Sequence, residues 1–288
     1  MQPGAGTAMS MGTGAIAITN GQLAASASLI LLNIVLSTGL RLGLGRSLLL
    51  ASGRMVVQLL LIGQVLQWLF LQQNPGLILA LSLLMALMAS LAAVHRTRHR
   101  FAGIYWQSFL SITASAALVT GLAMAGIIRV QPWTTAQYWI PLLGMVLGNT
   151  LNAISLGLDT LMERMLSQRA ILECALSLGA SRWEACRPQV REAIRVAMIP
   201  TINSMMVMGL VSLPGMMTGQ ILEGALPSAA VRYQIVILFM IASATALGVT
   251  AIVALAYLRL TSPQHHLRLD RLQRLDQPSR KRMLQGKG

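Results

Sequence analysis

Glu173-Cys174-Ala175-Leu176-Ser177-Leu178-Gly179-Ala180-Ser181 opens a stretch, Glu173 to Pro200, that is polar, charged and interrupted. It lies between two hydrophobic segments, and outward from it in both directions the sequence turns into long apolar runs. Of the 288 residues, 55% are apolar and 10% charged. Soluble domains carry roughly a quarter charged residues. Several windows exceed the ~18 nearly uncharged residues that cross a bilayer as a helix. The expected fold is therefore all-α, a polytopic protein embedded in the lipid bilayer.

Seven spans are predicted, at about Leu23–Leu40, Ser47–Leu71, Gly76–Val94, Phe101–Ile128, Trp139–Leu158, Met198–Leu222 and Val231–Leu258. Residues 1–22 read as a flexible external arm without the basic start of a signal peptide. Residues 23–260 form the membrane domain, with the charged insert at 159–197 and a basic cytoplasmic tail at 261–288. The net charge of +14 sits in the connections and the tail. That distribution orients a membrane protein and argues against nucleic acid as a partner. Arg41, Arg46, Arg96, Arg98 and Arg100, the insert and the tail all fall on one side. The N-terminus is then outside and the C-terminus inside. No internal repeat supports an inverted-repeat carrier.

Local signals divide the insert. Leu161 to Leu178 has a helical apolar pattern, and Gly179 sits where a left-handed C-terminal cap belongs. Ser181-Arg182-Trp183-Glu184 is a capping box that starts a new helix. Pro188 lacks an amide hydrogen and best opens a further helix. The expectation is a short helix, about Ser181 to Arg187, lying along the membrane surface, with Trp183 and Ala185 available to enter a groove on a soluble partner. Cys174 and Cys186 lack zinc-ligand spacing and read as reduced thiols. His95 and His99 have the spacing of a helical metal pair, but the arginines around them repel a cation.

The spacing Glu173, Ala175, Gly179 resembles the E-A-A-x3-G cytoplasmic loop of ABC transporter permeases, with Cys174 in the second position. The Ile-x-Leu-Pro that usually follows is absent from its offset, and Ile199-Pro200 is its nearest counterpart. The run from Ile199 through Met205-Met206-Val207-Met208-Gly209 and Leu213-Pro214-Gly215-Met216-Met217 to Leu222 is similar to that of the Fet-type iron-export permeases. That family also contains plant aluminium-tolerance permeases. The resemblance is strongest from about Leu151 to Leu260. It implies a coupling helix that docks into a separate ATP-binding subunit through Glu173, Ala175, Gly179, Ala180, Ser181, Trp183 and Glu184. It also implies export of iron or another metal ion.

The chain contains no G-x4-G-K-S/T phosphate loop, so ATP with its magnesium is expected on the partner subunit and no catalysis in this chain. Pro214-Gly215 must break or kink the sixth span. Non-helical backbone at membrane depth survives only where protein or water satisfies it, which argues for a cavity. Asn203, Met205, Met206, Pro214, Gly215, Met216, Met217, Gln220 and Glu223 are the candidate pathway residues. The methionines read first as packing, because thioethers favour softer ions than iron(II). Asn149, Asn152, Ser155 and Asp159 approximate one helical face that suits interhelical hydrogen bonds. A chain of this size is expected to work as a homodimer. Alternatives are an ABC permease for an organic substrate such as a nucleotide sugar or metal chelate, and an ion-driven carrier or membrane scaffold without an ATPase.

Overall fold

The computed structural model describes residues 19–72, 74–129, 131–132, 135–262, 264, 266–269 and 272–274. Most of the predicted N-terminal arm, and the tail beyond Arg274, lie outside the described residues. The helices, in chain order, are α1 (Asn20–Gly39), α2 (Gly45–Gln72), α3 (Pro75–His95), α4 (Ile104–Leu122), α5 (Ala136–Ser167), α6 (Arg169–Ser177), α7 (Arg182–Val207), α8 (Gly215–Leu222) and α9 (Pro227–Leu260). The turns after α4, Ala123–Ile128, widen into a π-helix. Two-residue strands β1 (His99–Arg100) and β2 (Gln273–Arg274) pair antiparallel. This is the fold of a polytopic membrane protein. Among the described residues, six helices are long and apolar enough to cross a bilayer: α1, α2, α3, α4 with its π-helical end, α5 and α9.

The chain divides into two units, Met1–Gln73 with Pro214–Gln234, and Asn74–Leu213 with Ile235–Gly288. In the first, α1 begins on a capping box between Thr19 and Gln22. It packs along α2 through a turn in which Arg41 (φ 53°) and Gly43 (φ 70°) are left-handed. The Ser37 hydroxyl closes that turn by accepting the Leu44 N–H at 3.0 Å.

In the second unit α3, α4, α5, α7 and α9 build the core, and small residues set their spacing. At Gly248 an added Cβ would stand 2.8 Å from Thr150 Cγ2 and 2.9 Å from Ser115 Oγ, so α9 meets α4 and α5 nearly backbone to side chain. Gly157 does the same for α5, with Ala197 of α7 at 3.3 Å and Val249 of α9 at 3.4 Å. Trp139 Nε1 donates to Ser82 Oγ at 3.0 Å, tying α5 to α3.

Several sequence expectations change. The fifth span does not stop near Leu158, because nothing from there to Ser167 breaks a helix. At 32 residues, α5 is about 48 Å long against an apolar bilayer thickness of ~30 Å. The helix expected over Leu161–Leu178 divides at Gln168, which caps both α5 and α6. Pro188 does not open a new helix. It sits inside α7, at a cost of one hydrogen bond to the exposed Glu184 turn, where water can serve instead. The short helix of this region is therefore α6, not Ser181–Arg187. The expected sixth span, Met198–Leu222, is not one helix: α7 ends at Val207 and α8 starts at Gly215 with Pro214 as its N-cap. His95 ends α3 whereas His99 lies in β1, so their spacing is not helical.

The start of the tail folds back rather than trailing free. Arg268 N–H donates to the Leu260 carbonyl at 2.9 Å, and β2 then pairs with the loop after α3.

Candidate functional site

The connection between α6 and α7, Leu178 to Ser181, is four residues long and bonded at both ends. The Ala180 N–H reaches the Ala175 carbonyl at 3.1 Å, and the Gly179 N–H reaches the Leu176 carbonyl at 3.1 Å. These two bonds make a Schellman motif, which needs a left-handed residue at its turn. Gly179 supplies it, at φ 93°. Immediately afterwards the Ser181 hydroxyl accepts the Glu184 N–H at 3.3 Å, while Glu184 Oε2 accepts the Ser181 N–H at 2.8 Å. The chain reverses here with little slack.

This connection gathers all the residues that the sequence marks for docking. Glu173 and Ala175 are on α6, Gly179, Ala180 and Ser181 form the connector, and Trp183 and Glu184 make the first turn of α7. Glu173 pairs with Arg169 at 2.7 Å. Leu178 stands at the tip, 84% exposed, flanked by the exposed Ile171 and half-exposed Trp183. Trp183 meets the Tyr257 ring edge-on at 5.7 Å. Ala185, expected to enter a partner's groove, is instead buried in the core, because it starts the inner face of α7. Leu172 is the corresponding buried anchor of α6. The amides of Gln168 and Gln189 hydrogen-bond at 2.7 Å beneath the connection.

Below this tip, α5 and α7 are joined by charge. Arg164 pairs with Glu192 at 3.6 Å, and Glu192 also pairs with Arg195 at 3.7 Å. The loop after α3 locks onto the same part of α5: Arg96 hydrogen-bonds Asn152, and Arg98 N–H donates to Asp159 Oδ1 at 2.9 Å. The polar face read in the sequence thus has partners at Asn152 and Asp159. Asn149 instead returns to its own helix, donating to the Met145 carbonyl at 2.8 Å. Of the two cysteines, Cys174 is exposed on α6 and Cys186 is fully buried in α7. Burial pushes the Cys186 thiol up to about 11.

The nine candidate pathway residues do not fall in one unit. Asn203, Met205 and Met206 are exposed on the last turns of α7. Pro214, Gly215, Met216, Met217 and Gln220 belong to α8 and its cap, and Glu223 closes that helix. Between the helices, Gly209 (φ 85°) donates its N–H to the Ser212 carbonyl at 2.9 Å. Leu210 and Val211 at this loop are 90% and 82% exposed. Met216, Gln220 and Glu223 line an open, mostly apolar hollow of about 510 Å³ together with Ala229 and Tyr233 of α9. Tyr233 is not among the candidates marked in the sequence.

The uncharacterised protein family UPF0014 matches residues 20–261. The UPF0014 membrane protein slr1647 of Synechocystis is 40% identical over 75% of this chain and 83% of its own length. The probable iron export permease protein FetB of Escherichia coli is 33% identical over 89% of this chain and 98% of its own. The protein ALUMINUM SENSITIVE 3 of Arabidopsis thaliana is 35% identical over 79% of this chain and 82% of its own. No solved structure matches. The multi-pass helical fold and these relatives agree: the chain belongs to UPF0014, the family of the Fet-type permeases, and is a multi-pass membrane protein.

Proposed function

We propose that this chain is the membrane-spanning permease subunit of an ABC transporter that exports iron or another metal ion. It works as a homodimer and is driven by a separate subunit that binds ATP and magnesium. The N-terminus is outside and the α6–α7 connection inside, on the side of the basic loops. The observation that carries this reading is Leu178, raised 84% exposed on a connector capped at both ends within the Glu173-x-Ala175-x3-Gly179 pattern. An apolar residue held out on a rigid turn is suited to a partner's pocket, not to water. The name of the Escherichia coli relative supports the cargo and direction. Closure of the ATP-binding subunits would push α6 and, through the capped connector, displace the start of α7.

A second reading, an organic anion or metal chelate as cargo, is favoured by the open face of α7 that carries Arg187, Arg191 and Arg195. The test of the main reading is co-purification of the chain with its ATP-binding subunit, followed by ATP hydrolysis in proteoliposomes across a panel of metals and anionic chelates. Leu178→Asp is expected to fold normally and to lose the partner. A stable complex with Leu178→Asp, and transport at the wild-type rate, would remove the connector from the docking surface.

A further inference from the structure

The outer face of α7 changes character along its length. Arg187, Arg191 and Arg195 follow one another at four-residue steps, and Ile199, Ile202 and Met206 continue the same stripe. All six are exposed, opposite the buried face that carries Ala193 and Ala197. The Arg187 and Arg191 guanidiniums make no ion pair or hydrogen bond among the described residues. Arg195 pairs only loosely, at 3.7 Å from Glu192, with 77% of its side chain exposed. The two carboxylates beside them are engaged, Glu184 in the capping box with Ser181 and Glu192 with Arg164. An open hollow of about 790 Å³ runs along the three arginines.

Helix α5 supplies a scale of depth. Tyr138, exposed in its first turn, is the kind of aromatic that marks a membrane surface. Asp159 lies about 30 Å farther along the axis, one hydrocarbon thickness away. α7 runs beside α5: a Cβ on Gly157 would stand 3.3 Å from Ala197, and Arg164 pairs with Glu192 at 3.6 Å. Arg195 is therefore level with the Asp159 turn, at the edge of the hydrocarbon. Arg191 is about 6 Å farther out, within a headgroup layer roughly 5–8 Å deep, and Arg187 is about 12 Å out, beyond it. Ile202 and Met206, 48% and 72% exposed, lie about 10 and 16 Å inward.

We propose that this face binds an anionic phospholipid from the leaflet on the side of the α6–α7 connection. Arg191 and Arg195 take the phosphate, and an acyl chain lies along Ile199, Ile202 and Met206. Arg187 reaches only the outer edge of the headgroup. A guanidinium fork matches phosphate oxygens bidentately. Each arginine near an anionic membrane surface strengthens binding about fivefold. A free organic phosphate, the anionic cargo of the second reading above, offers the same charge to these arginines but has no use for the apolar strip. That strip, continuous with the arginines and at the depth of the acyl chains, assigns the face to a lipid. The assignment needs only that the chain spans a membrane, so it stands apart from the transport reading.

The test uses the full chain, delipidated in neutral detergent and titrated with dioleoylphosphatidylglycerol or dioleoylphosphatidylcholine, with bound lipid counted by native mass spectrometry. Phosphatidylglycerol is expected to bind about fivefold more tightly or better. Arg191→Gln and Arg195→Gln should each weaken it about fivefold and leave phosphatidylcholine unchanged, while Arg187→Gln stays within about twofold. The three side chains are exposed, so these variants should melt like the parent. Arg98→Gln removes the same charge from the same side and should change binding by less than about twofold. Equal weakening by Arg98→Gln would reduce the effect to net charge and overturn the proposal. So would phosphatidylglycerol binding no tighter than phosphatidylcholine, or displacement of the lipid by glycerol phosphate, which has the head without the chains. Leu178→Asp should leave lipid binding intact, so this face and the docking tip can fail separately.

Discussion

Asp159 Oδ1 accepts the backbone N–H of Arg98 at 2.9 Å, and its second oxygen lies 3.9 Å from the Arg98 guanidinium. The backbone bond is the stronger link, because the guanidinium is largely in water and its pair is screened. Asp159→Ala should therefore cost about 1–2 kcal/mol by removing an acceptor from the loop after α3. Asp159→Asn keeps an oxygen at that place and should cost less. Thermal melting in detergent separates them. Equal loss in both would assign the effect to charge.

Gly179 is the position where the connector has no alternative residue of equal cost. An added Cβ meets no atom within 4 Å, so the penalty for a substitution is conformational and not steric. At φ 93° any L-residue is strained by roughly 1–2 kcal/mol. Gly179→Val should leave the membrane core intact, loosen the Schellman turn, and lower capture of the ATP-binding subunit. The expected signature is faster proteolysis between α6 and α7 with little change in melting temperature. A lowered melting temperature with unchanged proteolysis would place the strain elsewhere.

At Gly248 the opposite holds. A methyl group there collides with Thr150 Cγ2 and Ser115 Oγ at less than 3 Å. Gly248→Ala should destabilise the bundle by about 1–3 kcal/mol. Thr150→Ser deletes the nearest clashing methyl and should recover part of that loss when the two are combined. A double variant no better than Gly248→Ala would show that α9 shifts as a whole.

The two thiols should separate cleanly in labelling. Cys174 is exposed and should react with maleimide at once, whereas Cys186 should react only on unfolding. The sign of the pH effect follows from burial, which raises the Cys186 pKa from 9.0 to about 11. The unfolded chain then releases this proton first as pH rises. Cys186 contributes stability fully below pH 9, and that contribution is lost as pH rises from 9 towards 11. Cys186→Ala should flatten this alkaline decline in a melting-temperature profile.

How far the sequence discloses this molecule depends on the range over which each signal acts. The caps at Gly179 and Ser181 involve neighbours within five residues, and both are legible before any coordinates. The break around Pro214 is legible for the same reason. Pro188 misleads, because a proline in a long helix loses one bond while α7 keeps its packing against α5, and that packing is invisible locally. The length of α5 escapes because composition changes at Asp159 although no helix breaker follows. The Arg98–Asp159 link spans 61 residues, and the sequence offers only half of it, the polar face of α5. The folding back of the tail onto His99 and Arg100 has no composition signal at all, since the bonds are between backbones. In the pathway segment, the sequence marked Met216, Gln220 and Glu223 but not the wall contributed by Tyr233.

The 26 residues of α7 make a rod of about 39 Å. Two of them, Pro188 and Pro200, each delete a rung from its ladder of hydrogen bonds. The joint at the connector is pinned and these two points are compliant, which is the reverse of a loop-hinged lever. A load applied at Leu178 is carried stiffly through the first turns and then turned into bending, first near Pro188 and again near Pro200. The stroke at the far end is thus set less by how far the tip travels than by where along the rod the chain has been left soft.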